Sequence, residues 1–323
     1  MAHGATIASG PVRTRPLGDS GIDVSAVGLG CNNFGLRVDA AGTKAVVDAA
    51  LDAGVTFFDT ADVYGNRGGS ETFLGDALKG RREGVVLATK FGHPMTDDAP
   101  AARGAREYVR EAIEASLRRL QTDWIDLYQY HRPDGITPIE ETLGALDELV
   151  GEGKLRAIGS SNFSAAQVVE ADRLANERGW TRFVTAQNGY SLLEREAERE
   201  LLPTCERLGV GVLPYFPLAS GLLTGKYRRG AGAPEGTRLH GREERLTDDV
   251  FDRVEALERY ASERGRTVLE VAIAGLLAQP AIVSVIAGAT KQEQVRANAA
   301  AAEWQPSADD LEELGRALHG VRV

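Results

Sequence analysis

Eight short runs of β-branched and apolar residues alternate along the chain with longer helical patterns, and this alternation restricts the folds open to it. The runs lie at 26–30, 55–59, 84–91, 125–130, 155–160, 182–187, 210–215 and 281–287. The helical patterns lie at 41–53, 71–78, 105–120, 138–150, 165–176, 196–208, 247–264 and 291–300. In one of them Val109, Ile113 and Leu117 recur at the spacing of a helix face. Strands that alternate with helices in this way predict a parallel sheet covered by helices.

Eight such units fit a closed (β/α)8 barrel, the TIM barrel, which typically has about 250 residues. An open doubly wound sheet is the alternative. Neither a linker nor a break in composition divides the chain, so we expect one α/β barrel domain over 1–323. The parts of this domain are the barrel at about 26–304, an N-terminal β-hairpin at 13–25, an extra helix at 267–277 and a C-terminal helix at 307–318.

One segment, 219–247, is rich in Gly and Arg and has no clear periodicity. A long loop of this kind is often a lid or a cofactor clamp, and the alternative is a mobile surface excursion.

Composition excludes several classes of function. The net charge is −10 without a long basic run, which disfavours binding to nucleic acid or to an anionic membrane. Two cysteines, Cys31 and Cys205, cannot build a disulfide framework or a zinc cluster, and this indicates a reducing compartment. The N-terminal residues 1–15 lack a signal-peptide core, and no apolar run is long enough to span a membrane. We therefore expect a cytoplasmic protein; its oligomeric state cannot be read from the sequence.

Ionisable residues fall where the predicted strands end. Asp59 ends the second run, Lys90 lies near the end of the third, and His131 follows the fourth. Tyr64 lies in the loop after Asp59. Because barrel enzymes assemble their chemistry at the C-terminal ends of the strands, we expect these four side chains to meet there.

The four residue types suit hydride transfer to a carbonyl. Hydride that arrives at carbon leaves negative charge on oxygen, so a proton donor must lie within hydrogen-bond reach. Tyr64 would be this general acid, and the ammonium of Lys90 would lower its pKa by stabilising the phenolate. Asp59 would hold Lys90 in place, and His131 would orient the carbonyl. Taken singly, the four residues could instead be a cap, a packing residue, a solvated rim lysine and a loop residue bonded to backbone.

Seven stretches of the sequence then carry a resemblance to a known family. They are FFDTADVYG (57–65), LATKFG (87–92), IDLYQYHRPD (125–134), IGSSNFS (158–164), AQNGYSLLER (186–195), SGLLTGKY (220–227) and AGATKQEQVRAN (287–298). Together they resemble the aldo-keto reductases, and most of all the branch that includes bacterial sugar and aldehyde reductases and potassium-channel β-subunits. The resemblance implies a TIM barrel, an extended nicotinamide cofactor, no metal, and Asp59, Tyr64, Lys90 and His131 as the catalytic tetrad.

The resemblance also implies which residues hold the cofactor. Those at the nicotinamide would be Ser161, Asn162 and Gln187, which suit its carboxamide, and Tyr215, which would stack on the ring. Those along the pyrophosphate would be Leu218, Ser220, Gly221 and Leu222, with charge from Lys226 and Arg238. Those at the adenosine end would be Gly288, Thr290, Lys291, Gln294 and Asn298, which open the last barrel helix. The alternatives are helix capping for Asn162, core packing for Tyr215, and solvated side chains for Lys226 and Arg238.

Three departures from the family pattern bear on specificity. Thr290 and Gln294 are uncharged where basic residues are frequent, but Lys291 can still pair with a 2′-phosphate, so NADP(H) is favoured and NAD(H) stays open. Phe216 follows Tyr215 where a small polar residue is common. Cys31 and Asn32 replace a frequent Thr-Trp pair, which should open a substrate pocket lined by Cys31, Asn32 and Phe34.

The function predicted is NAD(P)H-dependent reduction of aldehydes or ketones, including sugar-type carbonyls, or the reverse oxidation. A cofactor-binding regulatory or sensor subunit with little turnover is the alternative. A Rossmann motif at Gly28-Leu29-Gly30 has the wrong spacing, since the next glycine is Gly35. A metal-dependent hydrolase is disfavoured because the histidines are scattered without a His-x-His pair. Neither the physiological substrate nor the direction of the reaction follows from these residues.

Overall fold

The computed structural model describes residues 12–319. Most of the N-terminal stretch examined for a signal peptide lies outside these residues. The described strands are β1 Thr14–Pro16, β2 Asp23–Ser25, β3 Val27–Gly30, β4 Phe57–Asp59, β5 Val86–Phe91, β6 Ile125–Tyr130, β7 Leu155–Ser161, β8 Phe183–Gln187, β9 Gly211–Val212 and β10 Val285–Gly288. The described helices are α1 Ala40–Asp52, α2 Tyr64–Leu78, α3 Arg106–Leu120, α4 Ile139–Gly151, α5 Ala165–Arg178, α6 Leu201–Leu208, α7 Asp248–Glu263, α8 Val268–Leu277, α9 Gln292–Ala301 and α10 Ala308–His319.

Eight parallel strands form one sheet in the order β10-β3-β4-β5-β6-β7-β8-β9. The sheet closes between β9 and β10, where the Val212 N–H donates to the Ala281 carbonyl at 2.7 Å and the Val283 N–H donates to the Val212 carbonyl at 3.1 Å. The predicted (β/α)8 barrel is confirmed, and the open doubly wound sheet is not formed. The carboxyl ends of all eight strands consequently face one mouth of the barrel.

The opposite mouth is plugged by the predicted hairpin. β1 pairs antiparallel with β2. Leu17, Ile22 and Val24 bury their side chains in a cluster with Phe57, Leu127 and other residues of the barrel strands. This end of the barrel is therefore filled mainly by apolar side chains.

Two predicted elements differ in the structure. The pattern 196–208 predicts one helix, but a 3-10 turn at Glu196–Glu198 precedes α6. Pro203 explains the break, because proline is tolerated only in the first turn of a helix. The run 210–215 predicts a strand, but β9 spans Gly211–Val212. The later residue Pro214 has no N–H to give to the sheet.

The two helices before β10, α7 and α8, also take positions opposite to those predicted. The sequence analysis takes 247–264 as the seventh barrel helix and 267–277 as an extra one. In the structure α8 contacts β10 and α9, whereas α7 contacts α8 and α10. Almost every residue of α8 is buried, as a helix that is apolar all round requires. The ring position therefore belongs to α8, and α7 packs outside it.

The segment 219–247 is largely exposed, but two of its side chains anchor it. Tyr227 and Leu239 are buried in it, and the Leu239 N–H donates to the Tyr227 hydroxyl at 3.3 Å. Arg229 forms ion pairs with Asp248, Asp252 and Glu255 of α7. These contacts fix the segment beside the open mouth of the barrel. Within the described residues, no helix is both long enough and apolar enough to cross a membrane.

Candidate active site

A cleft of about 1180 Å³ opens at the carboxyl ends of the strands. Asp59, Tyr64 and His131 line it, and Lys90 is fully buried behind them. Asp59, Lys90 and His131 come from the carboxyl ends of β4, β5 and β6, as the sequence predicts, and Tyr64 is the first residue of α2.

A buried ion pair is the centre of the site. Lys90 Nζ lies 2.7 Å from Asp59 Oδ2, with side-chain exposures of 0% and 4%. The ammonium also donates to the Thr60 carbonyl at 2.8 Å. Burial lowers the pKa of Lys90, but Asp59 and Tyr64 act more strongly in the other direction, so the pKa is raised. Lys90 is therefore positively charged and shielded from solvent.

Two glutamines hold the carboxylate of Asp59 from the other side. The Nε2 groups of Gln129 and Gln187 donate to Asp59 Oδ1 at 3.1 and 2.9 Å. The sequence analysis assigns Gln187 to the cofactor and does not single out Gln129. A signal was present, since Gln129 lies two residues before His131 and successive residues of a strand alternate between its faces.

Tyr64 lies between the ammonium and an imidazole. Its ring centroid is 5.1 Å from Lys90 Nζ and 5.7 Å from the centroid of His131, edge to face. The sequence predicts that Lys90 lowers the pKa of Tyr64. Lys90 does act in that direction, but burial outweighs it and the pKa is raised. Tyr64 consequently keeps its proton at neutral pH.

A left-handed turn fixes the chain directly after Tyr64. Residues 65–68 have φ values of 66°, 59°, 66° and 116°, although they lie within the bounds of α2. A Cβ on Gly65 would lie 2.5 Å from the Phe34 carbonyl oxygen and from the Ser70 nitrogen. Only glycine fits here, because both its φ and its surroundings exclude a side chain. The turn places Tyr64 by backbone packing.

His131 is a neutral imidazole in this site. Burial first, and then the charges of Lys90 and Arg132, lower its pKa to about 2. Its Nδ1 has no hydrogen-bond partner among the described residues. The ring of His93 packs edge-on against it at 4.4 Å between centroids. A neutral imidazole that lines the cleft suits a carbonyl oxygen. His93 was not predicted as a site residue.

Beside the tetrad, the residues predicted for the nicotinamide lie together. Ser161, Asn162, Gln187 and Tyr215 all line the cleft. The Tyr215 hydroxyl donates to Asn162 Oδ1 at 2.8 Å, and Asn162 Nδ2 donates to the His131 carbonyl at 2.9 Å. These contacts hold Asn162 in a left-handed conformation with φ 61°. The N-cap of α5 is Ser164, so capping does not account for Asn162.

The residues predicted for the pyrophosphate form a sharp turn on the next wall. Leu218, Ser220 and Gly221 line the cleft, and a Cβ on Gly221 would lie 2.5 Å from Lys226 Nζ. The ammonium of Lys226 therefore packs against the backbone of Gly221, where a side chain would not fit. Leu222 is buried in the hydrophobic core and is not among the cleft-lining residues.

Arg238 crosses the cleft from the loop at 219–247. Its Nη2 donates to Asn33 Oδ1 at 3.3 Å and to Asn32 Oδ1 at 3.5 Å. Its guanidinium lies 5.3 Å from the ring centroid of Phe216. The loop thus reaches the residues after β3, as a clamp over an extended ligand would.

The predicted adenosine end lies at the start of α9. Gly288, Thr290, Lys291, Gln294 and Asn298 line the same cleft. The Thr290 N–H donates to Gln294 Oε1 at 2.8 Å, and Lys291 is exposed. Of the predicted substrate-pocket residues, Cys31 and Asn32 line the cleft, whereas Phe34 is fully buried in the core.

Comparison with known proteins identifies the family of the chain. The model of the Aldo/keto reductase family matches residues 26–318. The chain belongs to the aldo/keto reductase family. Members of this family are oxidoreductases that use nicotinamide cofactors, generally NADPH.

Relatives of this aldo/keto reductase cover nearly the same length. The uncharacterized oxidoreductase YrpG of Bacillus subtilis (strain 168) is 42% identical over 87% of the chain and 88% of its own length. A probable voltage-gated potassium channel subunit beta of Arabidopsis thaliana is 36% identical over 90% and 91%. The uncharacterized oxidoreductase YqkF of B. subtilis (strain 168) is 36% identical over 90% and 91%.

Behind the reductase tetrad lies a second group of buried polar side chains. Asp62 is 1% exposed, and neither of its carboxyl oxygens has a hydrogen-bond partner among the described residues. Glu71, also buried, accepts from Thr89 at 2.5 Å and from Arg119 at 2.7 Å. Burial, and then repulsion from Glu71, raise the pKa of Asp62 well above its usual value. No group of three or more His, Cys, Asp or Glu able to hold a metal ion occurs in residues 12–319.

We expect Asp62→Asn to become more stable relative to the wild-type protein as pH rises. The raised pKa means that folded Asp62 keeps a proton that the unfolded chain releases near pH 4. Stability is therefore full below the unfolded pKa and falls as pH rises toward the folded pKa, by at most about 1.4 kcal/mol per pH unit. Asparagine has no proton to lose. Urea unfolding between about pH 5 and 8 measures the difference.

The exposed Asp52 of α1 provides the control, since Asp52→Asn removes a carboxylate from the surface. A difference in unfolding free energy between Asp62→Asn and wild type that stays constant with pH would contradict a protonated Asp62.

Proposed function

We propose that this protein is an NADP(H)-dependent reductase that converts aldehydes or ketones to alcohols, or catalyses the reverse oxidation, with Tyr64 as general acid. The observation that carries the proposal is the buried Lys90–Asp59 ion pair next to the phenol of Tyr64 and the neutral ring of His131. A structural ion pair alone would not require an acid and an imidazole facing the same cleft.

The acid step follows from the charges around Tyr64. Hydride transfer makes the carbonyl oxygen negative, and the phenol donates its proton to that oxygen. The phenolate left behind lies beside Lys90, whose charge is held by Asp59 and needs no rearrangement during the reaction. The raised pKa keeps Tyr64 protonated before the reaction, and the ammonium stabilises the phenolate after it.

His131 and the buried ion pair define where the carbonyl oxygen would bind. A neutral imidazole donates a hydrogen bond to the oxygen without placing a second positive charge beside Lys90. Lys90 and Asp59 are shielded from solvent, so their charges act on the carbonyl oxygen more strongly than they would in water.

The cleft residues fit an extended dinucleotide. Asn162 and Ser161 present amide and hydroxyl groups for the carboxamide, and Tyr215 presents a ring face for stacking. Lys226 and Arg238 would neutralise the pyrophosphate. The bound NADPH would supply the hydride.

The coenzyme preference rests on the start of α9. Lys291 lies in the cleft and forms no ion pair within the described chain. An unpaired ammonium at a helix N-terminus suits a 2′-phosphate. Glu293 also lines this end, and its carboxylate opposes the binding of a phosphate. The preference for NADPH over NADH therefore rests on the positive charge of Lys291.

A second candidate function is a cofactor-binding regulatory subunit. Plant relatives of 36% and 37% identity are named probable voltage-gated potassium channel subunit beta. The complete tetrad favours the enzyme, and tight NADPH binding without turnover of any carbonyl would favour the subunit.

Tyr64→Phe should lower kcat by about 10²–10⁴-fold while NADPH affinity stays close to wild type, because the variant lacks the proton donor but keeps the ring. Steady-state oxidation of NADPH with a panel of aldehydes, and fluorescence titration of NADPH, give the two quantities. Tyr260→Phe is the matched control, since the Tyr260 hydroxyl donates to the Asp310 carbonyl away from the cleft. Wild-type turnover in Tyr64→Phe would remove Tyr64 from the acid role.

Lys291→Ala should weaken NADPH by about tenfold and leave NADH nearly unchanged, because a charged hydrogen bond to the 2′-phosphate is lost. The Kd values of both coenzymes test this. The exposed Lys79, which follows α2, gives the charge-matched control as Lys79→Ala. Equal weakening of both coenzymes would place the 2′-phosphate away from Lys291.

A further inference from the structure

The cleft is basic although the chain carries a net charge of −10. The Lys and Arg residues that line it are Arg37, Arg132, Lys226, Arg238 and Lys291, and the acidic residues are Asp59, Glu235 and Glu293. Positive charge gathered in one cleft of an acidic protein attracts anionic ligands.

Most of these cations have an expected use. Lys226, Arg238 and Lys291 lie along the path proposed for the cofactor phosphates. Arg37 lies close enough to Arg238 to lower its pKa, so it belongs to the same side of the cleft. Arg132 is the cation that neither the tetrad nor the cofactor explains.

Arg132 lies at the substrate end, next to the two imidazoles. Its charge contributes to the lowered pKa of both His131 and His93. Both rings line the cleft together with Arg132. Because Arg132 and both rings line one cleft, a substrate bound to His131 lies within the same space as the guanidinium.

No carboxylate of the described chain forms an ion pair with Arg132. The neighbouring acid, Asp134, is already engaged: it accepts from the N–H groups of Gly104, Ile136 and Thr137 at 2.7, 2.8 and 2.8 Å. These bonds contribute to its low pKa of about 2. The guanidinium keeps all its donors for a ligand.

We propose that Arg132, with His93 beside it, binds an anionic group of the substrate, so that the preferred substrates are aldehydes or ketones that carry a carboxylate or a phosphate. This inference rests on the proposed reductase function. A guanidinium forms paired hydrogen bonds with either kind of anion, and His93, half-buried and with a lowered pKa, is a neutral partner beside it.

The two contacts define which substrates gain from the site. His131 would hold the carbonyl oxygen, and Arg132, which lines the same cleft, would hold the anionic group of the same molecule. Sugars and aldehydes without charge would leave the guanidinium solvated and gain nothing from it.

The test compares 4-oxobutanoate with butanal, which has the same chain length but no charge, in wild type and in Arg132→Gln. Wild type should prefer 4-oxobutanoate in kcat/KM by tenfold or more, chiefly through KM. Arg132→Gln should lose about tenfold for 4-oxobutanoate and keep the wild-type value for butanal. Added salt should lower kcat/KM for 4-oxobutanoate alone, because it screens an exposed charge.

A second arm identifies the kind of anion. Glyceraldehyde 3-phosphate and glyceraldehyde form the phosphate pair, and a larger charge preference in this pair than in the 4-oxobutanoate pair assigns the site to phosphate. Arg207→Gln is the control, because Arg207 is exposed near the end of α6, at the opposite mouth of the barrel, and has the same charge.

Three results would overturn the proposal: equal kcat/KM for charged and uncharged substrates in wild type, a charge preference that Arg132→Gln retains, or an equal loss of both activities in Arg132→Gln. Failure of wild type to turn over any of the four substrates or a wider carbonyl panel with NADPH would instead contradict the reductase function, and the inference would fall with it.

Discussion

The whole site depends on one ion pair that is buried from solvent. Removing an ammonium and a carboxylate from water costs several kcal/mol each unless their remaining hydrogen bonds are satisfied. Here the Thr60 carbonyl takes a second proton of Lys90, and Gln129 and Gln187 saturate Asp59. The pair is therefore a fixed dipole, and Tyr64 is placed where the positive end acts on it.

The barrel provides the place where such a pair can exist. Its lower half is filled by the apolar hairpin cluster, and its strands bring the side chains of Asp59, Lys90 and Gln129 into contact at the other end. β4, β5, β6 and β8 each contribute one polar side chain to this layer. Beyond the carboxyl ends of β4 and β5, Tyr64 and His93 reach the cleft.

The sequence predicts the barrel and the four tetrad residues because both leave local signals: the strand–helix period, and ionisable residues at strand ends. Strand alternation places Gln129 on the same face as His131, but the contact between Gln129 and Asp59 joins two different strands and is not written in any local pattern. The left-handed turn after Tyr64 depends on the close approach of the Gly65 backbone to Phe34 and Ser70, and this approach exists only in the folded chain. Whether the pKa of Tyr64 is raised or lowered depends on how deeply the phenol is buried, which is a property of the packed structure.

The most direct test of this account is a double-mutant cycle of kcat with Asp59→Asn, Lys90→Met and the combined variant, each checked for folding by urea unfolding. If the pair acts as one unit, either single change should lower kcat almost as much as both together. Losses that multiply in the combined variant would mean that Asp59 and Lys90 act independently, and would contradict the account.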